Sequence, residues 1–598
     1  MCGIVGFVSN TNVLSKKHVM DMLEKIKHRG PDFQNTFEDK DVFLGHARLS
    51  ILDLSDLGNQ PMVYKQYTIV FNGEIYNYLE IKEILKGYGH KFISNTDTEV
   101  ILHAFEVWGE KCLEYFRGMW SFIIYDSLTN ELFGSRDRFG IKPFYYINNS
   151  SVFAFASEIK PLLGLPNLST IPNFEVISSY LTVSLMNFNN QTFFENILQL
   201  EPGYFLKYDI KNKKLTLKKY YDLTKISNSQ ESVSYEEFRE TLNDSFKLHV
   251  RSDVPLGSCL SGGLDSSTVA ASVSQLLQEN KLITITAQSE SAQTDESHFA
   301  KMVVEHLNID WAKVKPKYSD FNEDIEYCLF MQEEPVESPS IFMQYCVMQK
   351  AKELNLKVML DGQGGDEALL GYERYYSLFF AGLIKKGQLY KAFSEYIQTT
   401  RNSKLNASSL FKQFIYFNSL SLRKKHLSSR NTNMYDHYLD KGLTVLDILG
   451  YNETSLQKLQ ITELTKTNLP SLLKYEDRNS MVASIEARVP FVDHKVIEKA
   501  LKLPLENKIN DGFTKYSLRK YINDKLPKEI VWRRDKKGFE APNDIWLKQH
   551  INNMQNEIEQ SKLVNEIFHT KPILSNMADK ELWKMYNLAL WERQYLKI

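Results

Sequence analysis

The chain has little that would tie it to a secreted scaffold, a membrane or a nucleic acid. It carries five cysteines in 598 residues, at positions 2, 112, 259, 328 and 346. Their odd number and wide spacing exclude a disulfide framework or a zinc cluster and suit a reducing compartment. No stretch approaches the roughly 20 apolar residues of a membrane span. The short apolar run Ile4 to Val8 gives way to Ser, Asn and Thr, unlike a secretory signal. Neither sign of charge dominates: 72 basic residues against 74 acidic ones exclude a nucleic-acid surface or a polybasic membrane patch. Internal repeats and low-complexity tracts are also missing. What remains is a sequence 43% apolar and 24% charged, the composition of a soluble globular protein. It is too long for one ordinary core, so two or more domains are expected. The expectation is a cytoplasmic, multidomain enzyme of small molecules, with no nucleic-acid or membrane partner.

The chain opens Met-Cys-Gly-Ile-Val-Gly. Met before a small second residue is readily trimmed, so Cys2 is expected to become the mature N-terminus. Such a residue carries a thiol nucleophile and a free α-amine, with a reference pKa of about 8, that takes the thiol proton directly or through a water.

Up to about residue 210 the pattern is short strands, turns and a few helices. Cys2 to Val8 reads as a buried strand, and Tyr67 to Phe71 as a second ending at Asn72-Gly73. Hairpins are expected around Thr129-Asn130 and Asn148-Asn149, and helices at His18 to Lys27, Tyr78 to Lys86 and Thr98 to Trp108. Sheets covered by helices are the natural packing. Four polar clusters punctuate these elements: His28-Arg-Gly-Pro-Asp32, Gly45-His-Ala-Arg-Leu-Ser50, Phe71-Asn-Gly-Glu-Ile-Tyr-Asn77 and Thr96-Asp-Thr-Glu99. Taken singly, Asn-Gly is a plain turn, Arg48 a salt-bridge partner and Asp97 a helix N-cap. Together they describe an amino-acid cradle. Arg48 offers a planar fork for a carboxylate, Glu74 and Asp97 offer charge for an ammonium, and Asn72 with the Gly73 N–H offers donors to an oxyanion.

From about residue 235 the texture becomes α/β. Val254 to Leu260 reads as a strand running into Ser261-Gly-Gly-Leu-Asp-Ser-Ser267 and then a helix, Thr268 to Leu277. A Gly-rich turn at a helix N-terminus presents N–H groups to an anion, and Asp265 suits a magnesium ion bridging phosphates. The loop departs from the Walker pattern and reads as an ATP-pyrophosphatase loop. A strand at Lys357 to Leu360 runs into Asp361-Gly-Gln-Gly-Gly-Asp-Glu367. Strand–loop–helix repeats imply a parallel sheet with ligands at the strands' C-terminal ends, where Asp265 and Asp366 would share magnesium. The cluster Glu486/Arg488 reads as a buried ion pair and receives no chemical role.

These motifs, in order, resemble the asparagine synthetase B family: a class II glutamine amidotransferase domain followed by a synthetase domain. The resemblance implies an N-terminal nucleophile αββα sandwich over residues 2–210. A doubly wound parallel-sheet ATP-pyrophosphatase domain over 235–598 would follow, with a mainly helical insertion at about 378–464, so the fold class is α+β followed by α/β. By resemblance Cys2 attacks the glutamine amide, Asn72 and Gly73 stabilise the tetrahedral intermediate, and Arg48, Ile51, Asn72, Gly73, Glu74 and Asp97 bind glutamine. Ser261, Gly262, Gly263, Leu264, Asp265, Ser266 and Ser267 would hold pyrophosphate. Leu260, Ala287, Asp361 and Gly362 would line the nucleotide, Asp265 and Asp366 would bind Mg²⁺, and Glu367 and Lys515 would flank the reacting phosphates. The implied reaction uses ATP, aspartate and glutamine to make asparagine through β-aspartyl-AMP; a homodimer is compatible with the sequence.

One loop departs from that pattern. The family usually reads Ser-Gly-Glu-Gly-(Ala/Ser)-Asp-Glu, whereas here Asp361 stands for the Ser and Gln363 for the Glu. Gln keeps hydrogen bonds but carries no charge and transfers no proton. This opens the identity of the acceptor acid, with a sugar acid or secondary metabolite as the alternative to aspartate, and the way ammonia loses its proton. The long segment at about 378–464 is read as helices broken near Asn402 to Ser409 and Ser428 to Asn433. It is either a surface or oligomer element or a part that reshapes the acceptor pocket.

Overall fold

The computed structural model describes residues 2–9, 14–166, 168–228, 232–277, 282–451, 455–534, 540–569 and 578–596. The first half holds two six-stranded sheets. One contains β1 (Gly3–Val8), β2 (Phe33–Asp39), β3 (Val42–Arg48), β8 (Tyr145–Asn148), β9 (Phe153–Ala156) and β10 (Leu198–Gln199), in the order β10-β8-β9-β1-β3-β2. The other contains β4 (Met62–Tyr64), β5 (Tyr67–Ile75), β6 (Gly118–Asp126), β7 (Glu131–Arg136), β11 (Tyr204–Asp209) and β12 (Lys214–Lys219), in the order β12-β11-β7-β6-β5-β4. Period-two alternation decides the layering. Ile4 and Val8 of β1 join Val70 of β5 and Ile123 of β6 in the core between the sheets. Val5 and Phe7 instead meet Val19 and Leu23 of the helix Lys16–Glu24. On the far side, Ile69 and Phe71 pack under the helices Tyr78–Gly87 and Asp97–Trp108. The result is the αββα sandwich, and both expected hairpins form.

The strand expected to stop at Asn72-Gly73 continues to Ile75. Asn72, Gly73, Glu74 and Ile75 pair with Ser121, Trp120, Met119 and Gly118 of β6, and this backbone ladder overrides the turn signal of Asn-Gly. The extension matters, because alternation then sets Asn72 and Glu74 on one face of β5. Gly73 is obligatory for space: a side chain there would run into the Met119 carbonyl.

The second half is built on one parallel sheet. Its strands are β13 (Leu256–Cys259), β14 (Ile283–Ala287), β15 (Asp310–Val314), β16 (Val358–Leu360) and β17 (Glu486–Arg488), in the order β15-β14-β13-β16-β17. The order runs outward from β13 to β15 and then restarts on the other side with β16. The switch point, where loops diverge and ligands bind in such sheets, therefore lies between β13 and β16. Both Gly-rich loops leave from these two strands. Gly362 lets them touch, since a Cβ there would lie 2.9 Å from the Asp265 Cβ.

The segment around 378–464 is helical, with helices Leu389–Asn402, Ala407–Asn418, Leu420–Arg430 and Asp436–Ile448; the first and last separations fall at the two expected Ser/Asn-rich breaks, and a further one, at Ser419, was not expected. Trp583, Tyr586 and Trp591 of the C-terminal helix Asp579–Tyr595 are buried. They share one core with Val5 and Phe7 of β1, so the two halves pack on common apolar residues. Among the described residues, no helix is long and apolar enough to cross a membrane.

Candidate active sites

The first site surrounds Cys2, at the head of β1. The Cys2 backbone N–H donates to Asn72 Oδ1 at 3.1 Å, and the thiol points to the Leu49 carbonyl at 3.9 Å. With its oxygen used this way, Asn72 has a buried Nδ2 that meets no hydrogen-bond acceptor among the described residues. A buried, idle donor beside a nucleophile is what a developing oxyanion requires. Burial pushes the Cys2 thiol above its usual range, so the thiolate needs a base to form.

Glu74, Asp97 and Glu486 come together next to it. Burial, then the charges of Glu486 and Asp97, raises Glu74 well above the ordinary carboxylate range. Asp97 is raised to about 6, chiefly by burial, while its Oδ2 accepts the Ile75 N–H at 2.8 Å. The helix that Asp97 begins is capped by Thr96, whose hydroxyl accepts the Thr98 N–H. The N-cap reading of Asp97 is thereby corrected, and its carboxylate is left for the cluster. Glu486 pairs with Arg488 at 2.6 Å, and Arg488 Nη2 lies 3.6 Å from Glu74 Oε1. So β17 of the second half completes the surroundings of the first site, a role the sequence pattern missed. The buried Glu-Ala-Arg triplet at an edge strand was its one available signal.

Arg48 behaves differently from a free fork. Its terminal nitrogens donate to the carbonyls of Ser55 (2.8 Å) and Asp53 and to Asn59 Oδ1 (2.7 Å), which ties down the loop after β3. The salt-bridge reading of Arg48 gives way to carbonyl recognition. Ile51 is buried, and its carbonyl accepts the Asp253 N–H at 3.1 Å.

The second site is a cavity of about 480 Å³ at the switch point, lined by Leu260, Ser261, Gly263, Asp265, Ala287 and Asp361 among others. The loop after β13 is closed on itself: Ser261 and Ser266 hydroxyls are 3.0 Å apart, and Gly263 N–H donates to Ser261 Oγ at 3.3 Å. Leu264–Leu277 then starts as a helix, with Ser267 N–H donating to the Gly263 carbonyl. Lys515 is the junction of the site. Its ammonium bridges the carboxylates of Asp265 and Asp366, 2.7 Å from the latter. These opposite charges outweigh desolvation and raise its pKa. Lys515 also holds a left-handed backbone, φ 52°, just before the helix Tyr516–Ile522, a strained conformation for a non-glycine residue. Glu367 sits one residue past Asp366. It accepts hydrogen bonds from Tyr372 (2.7 Å) and Asn468, and burial followed by the Asp366 charge raises it. The helical segment reaches this cavity: Asn402 and Ser403 line it, and Tyr376 donates to the Gly512 carbonyl at 2.7 Å, just ahead of Lys515. A larger cavity, about 710 Å³, opens between the halves beside Tyr145, Lys474 and Arg478, and its lining includes neither Cys2 nor the nucleotide loop.

A buried ion-pair path joins the two sites. Arg29 Nε donates to the Cys2 carbonyl at 3.1 Å, and its terminal nitrogens bind Asp477 at 2.8 and 3.0 Å and Glu158 at 2.9 Å. Asp477 lies on the helix Asn468–Val482, which also carries Tyr475 of the cavity wall. The stiff His28-Arg-Gly-Pro-Asp turn thus holds the Cys2 carbonyl and the second half with one guanidinium.

A cysteine-headed αββα sandwich joined to a parallel sheet with a nucleotide loop defines a glutamine amidotransferase coupled to an ATP-using ligase. Comparison with known proteins agrees. Residues 1–221 match the glutamine amidotransferase domain family and residues 237–593 match asparagine synthase. The chain belongs to the asparagine synthase family and is an enzyme of the glutamine-hydrolysing asparagine synthetase type. It is 29% identical to asparagine synthetase [glutamine-hydrolyzing] 1 of Bacillus subtilis over 100% of this chain and 98% of that one. It is 34% identical to a putative asparagine synthetase of Methanocaldococcus jannaschii over 64% and 78% of the two chains. It is also 27% identical to amidase chry2 of Gibberella zeae, over 91% and 90%. A solved allosteric regulatory enzyme of purine biosynthesis covers 52% of this chain at 13% identity with a TM-score of 0.29, too weak a likeness to carry an argument.

Proposed function

We propose that this enzyme transfers the amide nitrogen of glutamine to the side-chain carboxylate of aspartate, giving asparagine, with β-aspartyl-AMP as the activated intermediate. The observation that supports the reading is the presence in one chain of a thiol beside an idle amide donor and a cavity at the switch point of a parallel sheet, with Arg29 linking Cys2 to Asp477 of the second half. A carboxylate resists ammonia; a mixed anhydride with phosphate does not. Cys2 adds to the glutamine amide, Asn72 Nδ2 receives the oxyanion, and the α-ammonium rests among Glu74, Asp97 and Glu486.

In the second site, Lys515 faces the α-phosphate and the leaving pyrophosphate. Asp265 and Asp366 fit magnesium. They are hard oxygen donors on two loops at one sheet edge, and a cation, the Lys515 ammonium, already sits between them. Bound there, Mg²⁺ would neutralise phosphate charge. The loop Ser261 to Ser267 cradles the pyrophosphate, and Glu367 stands beside the reacting centre.

Pyrophosphate release with ATP, Mg²⁺ and glutamine is expected to require aspartate and to be matched by asparagine on amino-acid analysis. Glutamate release with no aspartate-dependent pyrophosphate would overturn aspartate as acceptor. It would favour the second reading, another carboxylate, for which Gln363 in place of Glu and the insertion residues Asn402 and Ser403 in the cavity wall are the supporting observations.

The raised pKa of Asp97 adds a pH signature. A carboxyl held at about 6 in the folded state costs stability as its charge appears, so the free enzyme loses this contribution as pH climbs from about 4 to about 6. An ammonium ligand favours the charged form, so glutamine binding should weaken as pH falls below about 6, approaching tenfold per unit. Calorimetry of glutamine binding to a Cys2→Ala variant would show the slope, and Asp97→Asn should flatten it. A pH-independent affinity in the parent would remove Asp97 from the ammonium site.

A further inference from the structure

Amide formation leaves one proton to place. As the nitrogen of ammonia bonds to the activated carboxyl carbon, the C–O bond to AMP breaks and AMP departs with the electron pair. The nitrogen must shed one proton to become a neutral amide. A carboxylate side chain in the cavity is suited to take it, and Gln363 has no site for it.

The carboxylates lining the cavity differ in what already holds them. Asp265 and Asp366 are clamped on Lys515. Glu337 is paired with Lys580 at 2.6 Å near the surface, and Glu373 is exposed. Asp361 is the remaining one, at the C-terminal end of β16, and it forms no ion pair among the described residues. The Cys259 thiol and the Gly362 and Gln363 backbone N–H groups point at it. Behind the wall lies a second acid, Glu476, 3% exposed on the helix Asn468–Val482. Gln344 donates to its Oε2, and Gln363 also lies against it. Glu476 Oε1 is buried and forms no hydrogen bond of ordinary geometry among the described residues. The charged groups facing this acid are Asp361 from the cavity and Lys142 from the first half, the side on which Cys2 lies.

We propose, resting on the amidation reading above, that Asp361 is the catalytic residue that takes the proton lost by ammonia, with Glu476 behind it as a positioning residue. Two buried acids this close do not both ionise easily, and they titrate as a pair that retains one proton. Burial raises both acids. The Asp265 charge adds to this at Asp361, where the Cys259 thiol and two backbone N–H groups oppose it, while the Asp361 charge pushes Glu476 further, well up, so within the pair Glu476 is the acid that keeps the proton. Departure from the family pattern at 361 and 363 then reads as one change: the carboxylate has moved two residues along the loop, and Gln363 links the acids, its backbone N–H on Asp361 and its side chain on Glu476.

The experiment measures amide formed per pyrophosphate released, with ammonium chloride as the nitrogen source so that Cys2 plays no part. In the parent enzyme the ratio is expected to be near one. In Asp361→Asn, which also changes the nucleotide lining, the amide formed per pyrophosphate released should fall about 10²- to 10⁴-fold whatever the rate of the burst, the usual range for loss of acid–base catalysis. Asp361→Asn with Gln363→Glu should recover part of the ratio, which a merely structural role would not allow. An unchanged ratio in Asp361→Asn, or a parallel loss of burst and amide with no recovery in the double variant, overturns the proposal. If the parent itself gives no aspartate-dependent pyrophosphate, aspartate as acceptor fails, not the pair. Infrared titration of the carboxyl band then decides the pair without any acceptor. The parent should retain a protonated carboxyl near neutral pH that Glu476→Gln removes and that Asp361→Asn makes titrate at lower pH. A band unaffected by either change overturns the pairing.

Discussion

Replacing Cys2 by alanine is expected to abolish glutamate release from glutamine, by on the order of 10⁴-fold or more, while synthesis from ammonium survives. The expectation rests on how little else at the site can attack. The Cys2 sulfur lies beside the Leu49 carbonyl and next to the idle Asn72 Nδ2, and the charged side chains brought close are the guanidinium groups of Arg29 and Arg48, which are not nucleophiles, and the acids Glu74, Asp97 and Glu486. These carboxyls are raised and buried, suited to hold an ammonium, and none offers a nucleophile poised at an oxyanion donor. The substitution removes one sulfur and leaves the contacts of β1 in place. The Cys2 N–H to Asn72 bond and the Arg29 contact to the Cys2 carbonyl are both backbone interactions. The bridge between the halves should therefore persist. Parallel assays with glutamine and with ammonium chloride check this. If ammonium-dependent synthesis were lost as well, the division of labour between the two sites would be wrong.

The second large effect belongs to Asp265. Asp265→Asn should cut pyrophosphate release by about 10²- to 10³-fold and leave glutaminase activity largely intact. Asp265 stands in the first turn of the helix after the pyrophosphate loop, where it and Asp366 flank the Lys515 ammonium. Asparagine keeps the shape and a hydrogen bond but removes the charge that a phosphate-bound metal would need. Lys515 keeps Asp366 as its counter-ion, so the variant does not strand a buried cation, the change that most often unfolds a core. Circular dichroism should show a folded protein, and glutamate release should continue. Unchanged pyrophosphate production would remove Asp265 from the metal and phosphate site. Loss of glutaminase in step with it would mean that the two halves are coupled more tightly than Arg29 and Asp477 account for.

Residues near in sequence were the legible ones. The alternation in β1 and β5, the turns at Asn130 and Asn148-Asn149, and the Ser-Gly-Gly-Leu-Asp-Ser and Asp-Gly-Gln-Gly-Gly-Asp loops are local signals. The structure forms the expected strands and turns, but the helices begin early: Leu264 to Ser267 and Gly365 to Glu367, expected in the loops, lie in the first turns of the helices Leu264–Leu277 and Gly365–Leu369. The strand expected over Val254 to Leu260 is shorter, Leu256–Cys259, and the strand end expected at Asn72-Gly73 failed because a local turn signal competed with a backbone ladder to β6, and the ladder prevailed.

By itself, then, the sequence determined which groups the chain carries: a thiol at the head of a buried strand, an Asn-Gly at the end of another, and two acidic Gly-rich loops at strand ends. Only the tertiary structure decided what those groups face. It brought Glu486 and Arg488 of β17 to Glu74, set Lys515 between two aspartates 250 and 149 residues away in the chain, and stacked Glu476 behind Asp361. The reason is physical. A residue's periodicity and turn chemistry act over a few neighbours, whereas the charge of a buried group depends on whichever distant side chains the packed core delivers beside it.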